Sequence, residues 1–509
     1  MTIRTPFPPL LAGLTAIALP LAMPALAETP ETPDAAITTV TVEDRRDPAP
    51  IGQQPDAEGI TDYRITHGTT GAKSDIPDTD IPQAVIAIPQ RILEEQRSET
   101  LNDVFRNVAG AQATQSAVQG AQWPIMRGFE TRNFYKDGLR DGTFDRSFWL
   151  GNVERLEVLK GPASVLYGDG SLGGVVNVVS KKPLPSTSAT GSLWGGSYEN
   201  AGISGDLSAK LVESGAVLAR VIADTERKDT FIDNFDYDTR HFSALLQARA
   251  GDRTTITLGT EYRHRDQNGN DFGLPAYALD ASLPRSRSYD AEWSERTDMG
   301  QNVSARITHD FDGNWKIGSG LLLNRYSFDQ TLTSASFTAA DIALGQVRRT
   351  PNSTTSETRE VLSDTSLEGN IPVAGINNKV LLGAEFSSGS VHRAVYGGGA
   401  TTTNLFNPVT SYAQPAWAKT WDQDFDTDRK AAYAQDLIEL TPKLKVMGGL
   451  RYDIVRRQSE DAVQPANATR NATTRDKKAS MRHGHRLASA WSGFIGLQGK
   501  CVPDAPSAN

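Results

Sequence analysis

The chain has 509 residues, a formal net charge of −9 at neutral pH and 38% hydrophobic residues. That length fits two or more ordinary domains or one large barrel, and the acidic balance argues against nucleic acid as a partner. No internal stretch approaches the roughly 18 consecutive apolar residues of a membrane-spanning helix, and Cys501, the one cysteine, has no mate for an internal disulfide.

The first element is an address. Arg4 precedes an apolar run from Leu10 to Ala22, and Ala25, Leu26 and Ala27 supply a small–x–small cleavage pattern, so residues 1–27 read as a secretory signal peptide. Residues 28–75 are rich in Pro, Asp, Thr and Gly with little periodicity and read as a flexible segment. One β-branched island, ITTVTVED at 37–44, stands out within it.

Residues 76–185 read as a compact α/β unit. Ala84 to Pro89 is strand-like. A helix follows, with Ser98 as its expected N-cap, Leu101, Val104, Phe105 and Val108 on one face, and Gly110 as its stop. VERLEVLKG is a strand ending at Gly161, Pro162 opens a short helix, and Val175 to Ser180 is an apolar strand. Between the last two lies GDGSLGG, in which Gly168, Gly170 and Gly173 have the spacing of a dinucleotide-binding loop. Such a loop must follow a strand and open a helix, because the helix N-terminus holds the pyrophosphate. Here the order is reversed, so the glycines are expected to allow a tight reversal at positive φ.

From about Gly191 long alternating segments recur: about 189–197, 201–211, 215–227, 239–250, 253–267, 299–311, 314–328, 356–369, 377–390, 430–441 and 443–457. Short turns near 213–215, 251–253, 312–314, 376–378 and 441–443 alternate with long polar stretches near 228–238, 268–298, 330–355 and 391–429. Short turns on one side and long loops on the other mark an outer-membrane β-barrel. After about 457 the alternation is lost, and 458–509 reads as an aberrant, unstructured tail without a final amphipathic strand. The seven histidines show no metal spacing beyond His483 and His485, and no nucleophile–base set appears, so the chain does not read as an enzyme or as a holder of a cofactor.

These features in this order resemble the TonB-dependent outer-membrane receptors, and among them the ferric-siderophore receptors. The resemblance is carried by IMRGFE (125–130), YKDGLR (135–140), the block VERLEVLKGPASVLYGDGSLGGVVNVVSKKP (153–183) and the following GSLWGGSYEN. It implies an all-β transmembrane barrel with an N-terminal α/β plug, in the outer membrane of a Gram-negative bacterium and in contact with its lipid. A barrel of about 22 strands leaves a wide lumen that a plug must fill; the segments found make about half of it, which reads as a partial barrel over 186–457 and as a truncated or frameshifted chain.

The resemblance also implies roles for residues. Thr38, Thr39, Val40, Thr41 and Val42 correspond to a TonB box, which adds as a strand to its partner in the TonB–ExbB–ExbD energy-transducing complex. Arg127 and Arg155 are expected to lock the plug to acids on the wall, for which Glu261 and Glu385 are candidates. The ligand is expected above the plug, against Gln119, Gln122, Trp123, Phe144, Phe148 and Trp149, with Trp293, Tyr396, Trp417 and Trp421 closing over it. Iron would arrive already wrapped as a siderophore complex, so no metal site and no resident cofactor are expected. Haem, cobalamin or a glycan as cargo, and a passive porin or adhesin, remain open as alternatives.

Overall fold

The computed structural model describes residues 38–42, 63, 65, 68–74, 76–77, 80–113, 123–143, 149–161, 163–168, 172–270, 283–311, 313–441, 443–467 and 470–487, with backbone alone at 38–42 and 482–487. The signal peptide, Gly170, the plug-loop residues Gln119, Gln122, Phe144 and Phe148, and Cys501 lie outside the described residues.

The first strand, β1 (Thr38–Val42), is the β-branched island. The plug follows: β2 (Ala84–Pro89), α1 (Gln90–Glu95), α2 (Leu101–Phe105), β3 (Ala111–Ala113), β4 (Pro124–Met126), β5 (Phe129–Glu130), β6 (Phe134–Lys136), β7 (Leu139–Arg140), β8 (Val153–Lys160), α3 (Ser164–Tyr167) and β9 (Gly174–Ser180). Its main sheet runs β2–β8–β9–β6–β7, and β3–β4–β5 form a second small sheet. The helix expected after Ser98 is capped instead by Thr100. Its hydroxyl accepts from the Asp103 N–H, while the Asp103 carboxylate accepts from the Thr100 N–H, a reciprocal pair that Ser98 has no acidic residue to complete.

The central strands β8 and β9 are buried along almost their whole length, and their two faces differ. On one face Leu156, Val158, Val176 and Val178 join Leu93, Leu101, Val104 and Phe105 from the helices in an apolar core. On the other lie Glu157 and Asn177 together with a smaller cluster of Leu159, Val175, Tyr135 and Tyr167. Of the glycine-rich stretch, Gly168 and residues 172–174 are described. Gly168 ends α3 at φ 75°, and Gly174 enters β9 at φ 145°, where an added Cβ would sit 2.3 Å from the Leu159 carbonyl oxygen. Both positions need glycine for the backbone.

The wall consists of β10 (Ser188–Gly195), β11 (Ala201–Lys210), β12 (Val217–Asp229), β13 (Asp236–Ala250), β14 (Thr254–Asn268), β15 (Glu295–Asp310), β16 (Trp315–Ser336), α4 (Ala339–Ala343), β17 (Gln346–Val373), β18 (Ile376–Gly397), β19 (Thr401–Asn404), β20 (Ala418–Thr441), β21 (Leu444–Asp461) and β22 (Ala472–Leu487). Each consecutive pair is antiparallel, except that β19 sits off the path against β17 and β18 pairs directly with β20. With β1 on the outer side of β10, the sheet has fourteen strands among the described residues and is not closed. Strands β10–β18, β20 and β21 fall on the eleven expected segments. They run further at the long-loop end than expected, as β17 and β20 do, because beyond the bilayer both faces of a hairpin meet water and the apolar–polar alternation that marks a strand disappears. The sheet also continues past 457: β21 reaches Asp461 and β22 pairs with it over Ala472–Leu487, within what the sequence alone gives as a structureless tail.

The wall has inverted polarity. Leu193, Ile203, Leu258, Val303, Leu321, Leu323, Leu382 and Leu450 are exposed, while Arg220, Glu261, Arg263, Asn302, Asn324 and Arg451 are buried. On β14 the two patterns interleave, with Ile256, Leu258 and Thr260 outward and Glu261 and Arg263 inward. A strand with that pattern places apolar side chains in lipid and polar ones in a lumen. Leu258→Arg is therefore expected to destabilise the chain folded into lipid vesicles by about 2–4 kcal/mol if Leu258 sits near mid-bilayer. The same change at the adjacent Thr257, which lines a polar cavity, is expected to cost less than about 1 kcal/mol, and urea titration of vesicle-inserted protein measures both.

Candidate functional site at the plug–wall interface

A plug packed into a charged lumen must match the charges it covers, since an unpaired buried ion costs several kcal/mol. Two wall acids illustrate this. Glu261 on β14 takes Lys136 from plug strand β6, accepts from the Asn152 amide at 2.5 Å, and lies 3.1 Å from its wall neighbour Arg263. Glu385 on β18 takes Arg451 of β21 at 3.2 Å and Lys73 at 3.9 Å. Lys73 is closer to Asp364 on β17, at 2.8 Å, and lies over the rings of Tyr167 and Tyr433. Arg451 also donates to the Leu166 carbonyl at 3.1 Å, tying the wall to α3.

Residues 68–74 and Ile76 lie between these two surfaces. On the plug side the Thr70 N–H donates to Glu157 at 2.8 Å, its hydroxyl bonds the same carboxylate, and Tyr167 donates to the Thr70 carbonyl at 2.8 Å. On the wall side Gln435 donates to the Ala72 carbonyl, and Ala72, Ile76 and Ile81 pack against Leu437 and Met447. Burial pushes the Tyr135 hydroxyl up to about 12, so it stays a donor to the Tyr167 carbonyl at every physiological pH.

Further contacts surround the plug. Arg306 donates to the Asp137 carbonyl, Asn324 donates to Asp141 at 3.1 Å, and the Gly142 N–H donates to Glu360 at 3.3 Å. Where the plug leads into the wall, Lys181 meets Asp206 at 3.4 Å, and Asp206 is gripped by Arg220.

At the long-loop end the plug meets the wall through Trp149. Its indole donates to Asp224 on β12 and stacks on His241 of β13 at 5.1 Å. Above it the loops pack on one another. Leu283, Tyr289, Val347 and Leu405 form a small core. Trp293 meets Tyr412 and Trp417 edge to face, and Arg349 lies over Tyr412 at 4.2 Å. Asp290 staples three segments: it accepts from Ser294 at 2.6 Å, from the Ala291 and Thr333 N–H groups, and from the Asn270 amide at 2.5 Å. Burial pushes its carboxyl up to about 6.

The expected site residues are distributed as follows. Trp149 is buried and engaged with the wall, and Trp123 donates to Glu130 at 2.8 Å with Arg132 over its ring. Arg155 pairs with Glu154 and Glu157, both on its own strand. Arg127 is exposed at the β4–β5 turn, at φ 52°, with its guanidinium against Gly161 of the plug. Glu261 and Glu385 do face cations from outside the wall, but these are Lys136 of the plug and Lys73 of the segment that precedes it. Trp293 and Trp417 come together, whereas Trp421 lies under Arg470 and Tyr396 near Lys419. Lys73, Lys136, Asn152, Asp364 and Arg451 escaped the sequence reading. Strand parity was the available signal for Asp364, which alternates inward with Thr358, Glu360 and Leu362; Lys136 stands inside the quoted YKDGLR. Among the described residues no group of three or more His, Cys, Asp or Glu could hold a metal ion, and no helix is long and apolar enough to cross a membrane, which says nothing of strands.

Residues 77–175 match the family described as TonB-dependent receptor plug domain, and residues 241–498 match the TonB dependent receptor-like β-barrel. The chain belongs to the TonB-dependent receptors. It is 27% identical over 402 residues to the ferrioxamine B receptor of Salmonella typhimurium, covering 74% of this chain and 56% of that one. It is 25% identical over 372 residues to the ferripyoverdine receptor of Pseudomonas aeruginosa, covering 69% and 45%. The chain thus spans about half the length of these curated relatives. Its fold is similar to that of the siderophore receptor PiuA from Acinetobacter baumannii, with a TM-score of 0.75 at 20% identity over 86% of this chain and 66% of that one. The ferripyoverdine receptor of the Pseudomonas aeruginosa outer membrane, bound to ferripyoverdine, gives 0.75 at 22% identity over 83% and 57%. The family to which it belongs is one of outer-membrane receptors, not of enzymes.

The loop staple titrates. The carboxyl of Asp290 is raised in the folded loops relative to the unfolded chain, so its contribution is fully present below about pH 4 and is lost as the pH rises through about 6. Loop closure is expected to weaken by up to about 3 kcal/mol between pH 4 and pH 7. Asp290→Asn should flatten that dependence. Hydrogen exchange of residues 283–294 across the range measures it.

Proposed function

We propose that this chain forms the plug and adjoining wall of a receptor that imports a ferric siderophore across the outer membrane with energy drawn through TonB–ExbB–ExbD. One observation carries the reading: a folded plug is seated against a polar-lined wall by the ion pair of Lys136 with Glu261, and the segment just before the plug by that of Lys73 with Asp364. A passive pore has no use for a plug tied in this way, whereas an energised importer must hold its lumen shut until work is done on it. The outer membrane has no nucleotide supply of its own, so that work must arrive through a protein contact.

The TonB-box assignment of Thr38–Val42 draws support from its backbone, which takes an extended form and adds antiparallel to the edge of β10, with Val40 opposite Gly191. A segment that completes a sheet edge through its backbone suits strand addition to a partner. Our reading puts cargo recognition at the long-loop end, where Trp149 meets the wall, Trp293 meets Tyr412 and Trp417, and Arg349 lies over Tyr412; Trp123, and Gln119, Gln122, Phe144 and Phe148, which lie outside the described residues, are candidates from the sequence alone. Aromatic rings with a few polar groups suit a bulky chelate, and the iron is cargo, held by its chelator.

Ferrioxamine B and ferripyoverdine loaded with labelled iron are the first probes. Val40→Pro removes a ladder donor and fixes φ. It is expected to abolish energy-dependent uptake while leaving chelate binding to whole cells unchanged. Parallel loss of binding and uptake, or uptake that persists in de-energised cells, would overturn the assignment.

A further inference from the structure

We propose that the outer edge of β10 is a strand-acceptor site for an extended, β-branched peptide, that the chain fills it with its own residues 38–42, and that this self-pairing withholds those residues from TonB until another strand takes the edge. The withholding rests on the TonB-box assignment made above; the acceptor site does not.

Three observations carry it. First, the edge stands where water cannot satisfy it. Along β10 the exposed positions are Ala189, Gly191, Leu193 and Gly195. The next strands continue that face with Leu207 opposite Ala189, Ile203 opposite Leu193 and Val221 opposite Leu207, all of them exposed. This is the lipid side of the wall. Unpaired backbone N–H and C=O groups at lipid height have no solvent to bond, so the edge requires a strand.

Second, residues 38–42 meet that requirement with an unbroken ladder. All five pair antiparallel: Thr38 with Leu193, Thr39 with Ser192, Val40 with Gly191, Thr41 with Thr190 and Val42 with Ala189. The register follows the polarity of the wall. Both valines stand opposite lipid-side positions of β10, whereas Thr39 and Thr41 stand opposite Ser192 and Thr190 on the lumen side. A slip of one residue would exchange the two sets. Pairing ends at Val42, and the sequence then turns to Glu43, Asp44, Arg45 and Arg46, residues for water and not for lipid.

Third, the held strand is out of reach of a soluble partner. β10 begins at Ser188, shortly after plug strand β9 ends at Ser180. β1 runs antiparallel to β10, so Val42 lies nearest the plug exit and Thr38 furthest up the wall, level with Leu193 and Ile203. Pairing with β10 occupies one edge of the segment, and its height in the wall denies the other to a partner confined to water. Residues 43–67 tether the segment to the plug, so it meets the β10 edge at an effective concentration on the order of a millimolar, against which a partner in solution must compete.

The first arm of the test uses the full chain with Cys501→Ser, folded in lipid vesicles, and reads disulfide formation under mild oxidation. Val40→Cys with Gly191→Cys places two thiols at one register position, and Val40→Cys with Gly195→Cys moves the second four residues along the same face. Both glycines have room for a Cβ, whose nearest neighbours would be the Ser204 and Asn200 carbonyl oxygens at 3.8 and 3.7 Å. The aligned pair is expected to close at least about tenfold faster than the displaced pair. Thr38→Cys with Leu193→Cys, a second aligned pair, should behave as the first does. An excess of a synthetic peptide of residues 36–44 should slow both aligned pairs. Equal rates for aligned and displaced pairs, or closure that the peptide does not slow, would overturn the acceptor site.

The second arm titrates the purified periplasmic domain of TonB against the same peptide and against the full chain. The free peptide is expected to bind about tenfold or more tightly than the chain does, and the oxidised Val40→Cys, Gly191→Cys chain should not bind. Equal affinity of peptide and chain would overturn the withholding. A peptide that does not bind TonB counts against the TonB-box assignment, and the acceptor site is then decided by the cross-link, which needs neither partner nor cargo.

Discussion

The pairing of plug cations with wall acids is the constraint on which the rest of the structure depends. The wall turns Leu, Ile and Val outward, so its inner face is left with Glu261, Arg263, Asp364, Glu385 and Arg451. Transferring such groups from water to a protein contact costs several kcal/mol each unless a partner and hydrogen bonds replace the lost hydration. The lumen can be filled only by bringing charge and hydrogen-bond donors to it: Lys136 and Lys73 supply the charge, and the Asn152 amide donates to Glu261. An apolar plug surface would leave the wall acids bare, and a plug charged without register would leave its own cations bare.

That requirement explains the unusual central strands of the plug. In a small α/β unit one sheet face is ordinarily covered by helices and the other meets water. Here β8 and β9 are covered twice. Leu156, Val158, Val176 and Val178 face the helices and make the apolar core, while Glu157 and Asn177 face the segment at 68–76. The polar residues in VERLEVLK and VVNVVS are therefore interior residues, satisfied by Thr70, Arg155 and Gly138. Gly168 takes the positive φ at which α3 ends, and Gly174 lets β9 begin without a side chain striking Leu159.

Much of this was legible in the sequence, and the failures have physical causes. The wall strands were readable because lipid on one side and a polar lumen on the other impose strict alternation. Their long-loop ends are not marked in the sequence, because alternation ends where both faces meet solvent. The tail was read as structureless because ATTRDKKASMRHGHRL carries almost no apolar face, yet its backbone pairs with β21, and ladder formation depends on the backbone more than on the side chains. The wall acids Glu261 and Glu385 could be found because carboxylates on strands that alternate toward a lumen are few and conspicuous. Their plug partners could not. Arg155 sits beside Glu154 and Glu157 in sequence and binds both. Lys73 lies in a Gly/Thr-rich stretch without periodicity, and only the folded chain reveals that it reaches Asp364 on a strand far along the sequence.

The cations that join plug to wall are thus of two mechanical kinds, although their chemistry is alike. Lys136 projects from a strand hydrogen-bonded on both sides, so its contact with Glu261 is as durable as the sheet. Lys73 projects from a turn whose backbone is held by single bonds to Glu157, Tyr167 and Gln435. Equal ion pairs on unequal supports yield in order, the weaker support first. Contacts on the sheet thus share its cooperativity, and contacts on the preceding segment do not.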